Sequence, residues 1–124
     1  MSDGTDVTGR GPLITIDGVR HGETLVLTVA GELDVATGPR LRAELADALE
    51  APGAVVVLDL TGVTFMGSTG IAVLVDADWQ ARQRGAQLRV VVDDTRAVVR
   101  PLDAAGIRRH LAAYADLDSA LHNR

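Results

Sequence analysis

From Leu13 onward the chain alternates short apolar runs with stretches that repeat at helical spacing. Leu13-Ile14-Thr15-Ile16-Asp17 alternates weakly, Arg20-His21-Gly22-Glu23 is polar, and Leu25 to Ala30 is apolar again. Two strands joined by so short a connection predict an antiparallel hairpin. Gly38-Pro39 predicts a helix start, because proline suits the first helical position, where its missing N–H has no partner to lose. Leu41, Leu45, Ala48 and Leu49 then recur on one face, and Pro52-Gly53 stops that helix. Ala54 to Leu60 is a nearly continuous valine-rich run, the pattern of an inner strand covered on both faces, interrupted only by Asp59.

Thr61–Gly70 reads as a loop, and a helix follows from Ser68. Ile71, Leu74, Val75 and Ala81 mark its core stripe, Ala72, Val73 and Asp76 face away, and Trp79 lies at the margin. Asp78 and Arg82 are spaced to pair at the edge of the stripe. Gly85 closes this helix, and Leu88 to Val92 predicts another strand. Asp93-Asp94-Thr95 caps a helix carrying Val98, Leu102 and Ala105, with Pro101 late in it and Gly106 as its stop. Ile107 to Tyr114 predicts a last short strand, and Leu117, Ala120 and Leu121 a terminal helix. Residues 1–11, mostly Gly, Thr, Asp and Ser, read as a flexible tail, leaving residues 12–124 as one domain.

Strands separated by crossover helices imply parallel pairing with right-handed connections. The predicted fold is therefore α/β: a single domain with a small mixed β-sheet and an edge hairpin, flanked by about four α-helices. Sheets of this kind place functional groups at the carboxyl ends of their parallel strands, which directs attention to Thr61–Gly70.

Composition narrows the chemistry. A chain of 124 residues with 47% hydrophobic content can build one core without staples. With no cysteine there is no disulfide, thiol nucleophile or cysteine-zinc site. The net charge of -5 argues against a nucleic-acid surface. All 12 basic residues are arginine, which removes the P-loop lysine and every Schiff-base amine. No apolar run approaches the roughly 20 residues that span a bilayer, and the N-terminus lacks a signal-peptide pattern. The expectation is a cytoplasmic protein with no membrane partner, no cofactor and no metal.

The chemistry that is left centres on Met66-Gly67-Ser68-Thr69-Gly70. As a helix cap, the Ser68 oxygen would accept an orphan backbone N–H, for about 1 kcal/mol. As a hydrolase nucleophile it lacks the Gly-x-Ser-x-Gly elbow, since Met66 stands two residues before it, and His21, His110 and His122 are scattered along the chain. As a phosphate cradle, the turn offers free N–H groups at a positive helix end but no lysine beside them. As a phosphorylation site, the hydroxyl would gain about -1.5 to -2 charges where the helix dipole tolerates them. The local residues leave cap and modification site both open.

The strand-loop-helix VVVLDLTGVTFMGSTGIAVL resembles the signature of the STAS domain, as found in bacterial anti-sigma factor antagonists. GELDVATGPRLRAEL resembles that family's Gly-x-Leu-Asp element and first helix, and the stretch from Asp94 to Leu121 resembles its ending. The resemblance spans nearly the whole chain beyond residue 12. It implies a STAS-like fold and a non-enzymatic regulator that binds an anti-sigma factor and frees its sigma factor. The partner it implies is a serine kinase of the histidine-kinase-like ATPase fold, which phosphorylates the antagonist and ends the association until a PP2C-type phosphatase resets it. By position, Ser68 matches the phosphorylated serine, Thr69 and Gly70 the residues after it, and Asp34 the aspartate near that loop. Partner contact is expected from Asp34, Gly67, Ser68, Thr69, Gly70, Ala72, Val73 and Asp76. The family commonly has aspartate where this chain has Gly67, so the alternative is a non-switching STAS interaction module or a nucleotide-binding STAS domain without kinase regulation.

Overall fold

The valine run is the middle of the molecule. In the computed structural model, which describes residues 13–93 and 96–122, it lies in the third of five strands. The elements are β1 (Ile14–His21), β2 (Thr24–Leu33), α1 (Gly38–Ala48), β3 (Val55–Met66), α2 (Ser68–Arg84), β4 (Gln87–Val91), α3 (Arg96–Ala104), a 3-10 turn (Arg108–His110), β5 (Ala112–Tyr114) and α4 (Leu117–His122). The sheet order is β1-β2-β3-β4-β5, with β1 antiparallel to β2 and every later pair parallel. This is the mixed sheet with an edge hairpin that the pattern predicts. The flexible tail expected at residues 1–11, and Asp94 and Thr95 of the predicted cap, lie outside the described residues.

The period-two alternation of the strands separates two layers. Ile14, Leu27, Val29, Val56, Leu58, Leu60, Leu88 and Val90 face one way, into the main core with Leu41, Leu45 and Leu49 of α1, Leu74 of α2 and Val98 and Leu102 of α3. Val26, Val57 and Val91 face the other way and are covered by α4 through Ala120, Leu117 and Leu121. The buried Arg89 ties this cover down, donating to the Ala120 carbonyl at 2.8 Å and to Gln87 Oε1 at 2.9 Å. Burial on both faces is what the unbroken valine run requires.

Three local expectations change. The Thr61–Gly70 loop is mostly strand, because β3 continues to Met66 beside β2. Its pairing with β2 slips twice, between Thr28 and Ala30 and between Gly31 and Glu32, each slip placing one more residue on β3. Such bulges break the alternation of buried and exposed positions, so the segment's sequence loses its strand period. The strand expected over residues 107–114 shrinks to Ala112–Tyr114, preceded by the exposed basic turn.

The third change is rotational. The buried residues of α2 are Gly70, Val73, Leu74, Ala77 and Ala81, whereas Val75 is 43% exposed and Trp79 64% exposed. The helix packs against α1 as well as the sheet, so its buried arc is wider and turned toward the small residues Gly70 and Ala77. Val98 and Leu102 of α3 are buried as expected, but Ala105 falls past the end of that helix and is exposed. Gly85 ends α2 in the left-handed conformation, and Arg82 Nε donates to Asp78 at 2.9 Å, both as expected.

Candidate functional site

Two turns meet at the carboxyl end of the parallel strands. The first follows β2. Gly31 has φ +112 and its backbone lies against Leu13, so that an added Cβ would stand 2.0 Å from the Leu13 carbonyl oxygen; only glycine fits there. Three residues further, Asp34 Oδ1 accepts the N–H of Ala36 at 2.9 Å and of Thr37 at 3.0 Å. The Thr37 hydroxyl, itself buried, accepts the Asp34 N–H at 3.0 Å and donates to the Glu32 carbonyl at 2.6 Å. The Thr37 N–H, foremost among these donors, holds the Asp34 carboxyl below its usual range. The Asp34 Oδ1 atom is thus used inside the chain, to fold the entry into α1.

The second turn joins β3 to α2. The helix cap is Gly67, with φ -92 and ψ -174, and not Ser68; the Gly67 carbonyl accepts the N–H of Gly70 at 3.0 Å and of Ile71 at 3.3 Å. Ser68 is the first helical residue, its side chain points to solvent, and no side-chain hydrogen bond caps this end. The cap reading of Ser68 is therefore corrected by one position: a residue already in helical conformation cannot turn its hydroxyl back onto the N–H groups ahead of it.

The residues on either side of Ser68 are anchored. Gly67 donates its N–H to the Leu33 carbonyl at 2.9 Å. Gly70 lies so close to β2 that a Cβ would stand 2.9 Å from Met66 Cγ and 3.2 Å from Leu33 Cβ. Thr69 abuts the start of α1, where a Cβ on Gly38 would stand 2.5 Å from Thr69 Cγ2. Asp34, Gly67, Ser68, Thr69 and Gly70 are thereby brought to one end of the domain. Gly67 itself is not required by the backbone: its dihedral angles suit any residue, and a Cβ would meet nothing nearer than Phe65 Cε2 at 3.4 Å.

The helix residues expected to contact a partner divide. Ala72 is exposed. Val73 is not: it is 1% exposed and belongs to the core, so its placement on an outward face is corrected. Asp76 is exposed but pairs with Arg42 of α1. Ser68, Ala72, Val75 and Trp79 share the outward face, at spacings of four, three and four residues. Val35, 79% exposed, and Phe65, 51% exposed, lie beside the two turns. Sequence periodicity missed Val35, Phe65, Val75 and Trp79; the small residues Gly70 and Ala77, seven apart, were the signal for where α2 turns inward.

None of the three histidines attends Ser68. His21 pairs with Thr24 at the start of β2, the opposite end of the sheet from the close of β3, His122 is paired with Asp118, and His110 lies in the turn before β5. A hollow of about 690 Å³ between Asp103 and Ala113 shares no residue with either turn. Among the described residues no cluster of His, Cys, Asp and Glu could hold a metal ion, and no helix is long and apolar enough to cross a membrane.

Fold and site define a mixed five-stranded α/β domain that exposes a serine at a helix start. The chain belongs to the STAS domain family, which it matches over residues 15–120. It is 36% identical over 104 residues to the anti-sigma-F factor antagonist RsfA of Mycobacterium tuberculosis, covering 82% of this chain and 80% of that one. It is 30% identical over 95 residues to the anti-sigma-B factor antagonist of Bacillus subtilis, covering 77% of this chain and 85% of that one. A crystal structure of an anti-sigma factor antagonist from Mycobacterium paratuberculosis superposes with a TM-score of 0.77 at 30% identity, over 87% of this chain and 91% of that one.

Proposed function

We propose that the chain is an anti-sigma factor antagonist: unphosphorylated, it binds an anti-sigma factor and frees a sigma factor, and phosphorylation of Ser68 ends that association. The reading is supported by relatives that carry the antagonist name over most of both chains. The observation that carries the switch is Ser68 itself, an exposed hydroxyl on the first residue of α2 whose neighbours are all anchored. The proposed partner is a serine kinase of the histidine-kinase-like ATPase fold, reset by a PP2C-type phosphatase, in the cytoplasm.

The physics of the switch is local. A phosphate adds about -1.5 to -2 charges at a helix N-terminus, where the dipole favours them, so the domain stays folded. What changes is the contact surface. In the unmodified protein Ser68 stands at the head of an outward face carrying Ala72, Val75 and Trp79. A partner seated on that face would have to bury an unpaired dianion, a cost of several kcal/mol. Asp34, Gly67, Thr69 and Gly70 hold the turn in place for that encounter.

Incubation with the cognate anti-sigma factor and ATP is expected to add one phosphate, absent in Ser68→Ala. Immobilised wild-type protein should retain the anti-sigma factor, and Ser68→Asp should lose it. Phosphate uptake unchanged in Ser68→Ala refutes the site. One observation favours a second reading: the N-cap is Gly67 and the first turn of α2 has no acidic residue. A STAS module that binds its partner constitutively would retain the anti-sigma factor and take up no phosphate. A nucleotide-binding STAS domain would instead titrate with a nucleotide and ignore the anti-sigma factor.

A further inference from the structure

We infer that Gly38 is a positioning residue for Ser68, acting through Thr69. This rests on the reading of Ser68 as the switch residue. The helices α1 and α2 run side by side and are tied by three polar contacts of constant offset. Asp76 pairs with Arg42, Gln80 Nε2 donates to the Ala46 carbonyl at 3.0 Å, and Arg84 donates to the Glu50 carbonyl at 3.2 Å. Each tie joins residues 34 apart in sequence, so these rungs advance four residues at a time along α2 and along α1 to Glu50, just past its end. They hold the middle and the carboxyl end of α2. Its first turn is outside their reach.

There the contact is of another kind. Gly38 and Thr69 face each other, and a Cβ on Gly38 would come within 2.5 Å of Thr69 Cγ2 and 3.7 Å of Thr69 Cβ and Val73 Cγ2. Gly38 cannot retreat. Its N–H donates to the Asp34 carbonyl at 2.8 Å, and the residue before it, Thr37, is buried in the Asp34 turn. Of the two rotamers a helical threonine adopts, the close approach of Gly38 selects the one that seats the methyl there, and so sets how near the Thr69 backbone comes to α1. Ser68 is the next residue back. The carboxylate of Asp34 thus reaches Ser68 by contact, through Thr37, Gly38 and Thr69.

A methyl group at position 38 must either turn Thr69 to another rotamer or lift the first turn of α2. The rungs from Asp76 onward confine that displacement to the turn bearing Ser68. Removing Thr69 Cγ2 removes the obstacle while keeping the hydroxyl, so Thr69→Ser is the compensating change.

The test compares wild type, Gly38→Ala, Thr69→Ser and the double variant by amide hydrogen exchange and by phosphate uptake at Ser68. In Gly38→Ala the amides of Gly70 and Ile71, which bond the Gly67 carbonyl, should exchange about tenfold faster. The amides of β3 should be unchanged, and the rate of Ser68 phosphorylation by the cognate anti-sigma kinase should fall by a similar factor. The double variant should return both to the values of Thr69→Ser alone. Wild-type exchange and wild-type phosphorylation in Gly38→Ala overturn the inference, as does a loss that persists in the double variant. If Gly38→Ala does not fold, the double variant against Thr69→Ser decides, with equal exchange and equal phosphorylation expected. A wild-type protein that takes up no phosphate refutes the switch reading of Ser68 and leaves the exchange comparison to decide Gly38.

Discussion

The carbonyl of Leu33 accepts the backbone N–H of Gly67 at 2.9 Å, joining the last residue of β2 to the cap of α2. The bond continues the β2–β3 ladder one step past its final pair, Leu33 with Met66. It brings the Asp34 turn and the Ser68 turn, more than thirty residues apart in the chain, to one end of the sheet. A strand ladder is a rigid way to do this, since each backbone bond fixes the next.

Close packing at this junction should make Gly70 intolerant of substitution. In Gly70→Ala the new Cβ lies 2.9 Å from Met66 Cγ and 3.2 Å from Leu33 Cβ. Overpacking costs about 1–3 kcal/mol, offset in part by the better helix propensity of alanine, roughly 0.5–1 kcal/mol. A net loss of about 1–2 kcal/mol is expected in urea unfolding; a variant as stable as wild type would show that the turn adapts.

Neighbouring residues of α2 should separate stability from binding. Val73→Ala removes buried methyl groups from the core and should cost about 2 kcal/mol of stability. Trp79→Ala, at an exposed position, should leave the unfolding midpoint near wild type and weaken retention of the anti-sigma factor by about tenfold or more. Calorimetric titration against the purified anti-sigma factor reads the second effect. Binding unchanged in Trp79→Ala would remove the distal half of the outward face from the interface.

Gly67→Asp should be accepted by the fold. The backbone there is extended, an added Cβ would meet the Phe65 ring at ordinary contact distance, and aspartate at an N-cap exceeds glycine by a few tenths of a kcal/mol. The melting temperature should rise by about 1–2 °C. A fall would mean that the first turn of α2 has no room for a carboxylate.

The Asp34 turn should show in the acid limb of the stability curve. Its carboxyl is held below the ordinary value of 3.8, foremost by the Thr37 N–H, so the folded state binds fewer protons than the unfolded chain. That contribution is complete above the ordinary value and is lost as pH falls through the depressed one. Asp34→Asn, which keeps an oxygen acceptor, should unfold with a shallower dependence on the acid side of the ordinary carboxylate value. Asp116, held down mainly by the Ser119 N–H, acts in the same direction and preserves part of the slope. An unaltered slope in Asp34→Asn would place the titrating group elsewhere.

Much of this was legible in the chain. The valine run of β3, the hairpin, Pro39 at the start of α1 and Gly85 at the end of α2 follow from periodicity and from the backbone demands of proline and glycine, which are local properties. The resemblance carried by GELD and MGSTG placed Asp34 and Ser68 in the site, and the ladder brings both to one end of the sheet. Other features needed the assembled molecule. Thr61 to Met66 became strand because β2 supplied hydrogen-bond partners across two bulges, which no pattern within the segment records. Val73 went inside and Val75 and Trp79 outside because α1 lies against one flank of α2, and a helix buries whatever its neighbours cover. Local periods determine which elements form; which flank of α2 is buried, and so which residues surround Ser68, was decided only when the helices packed.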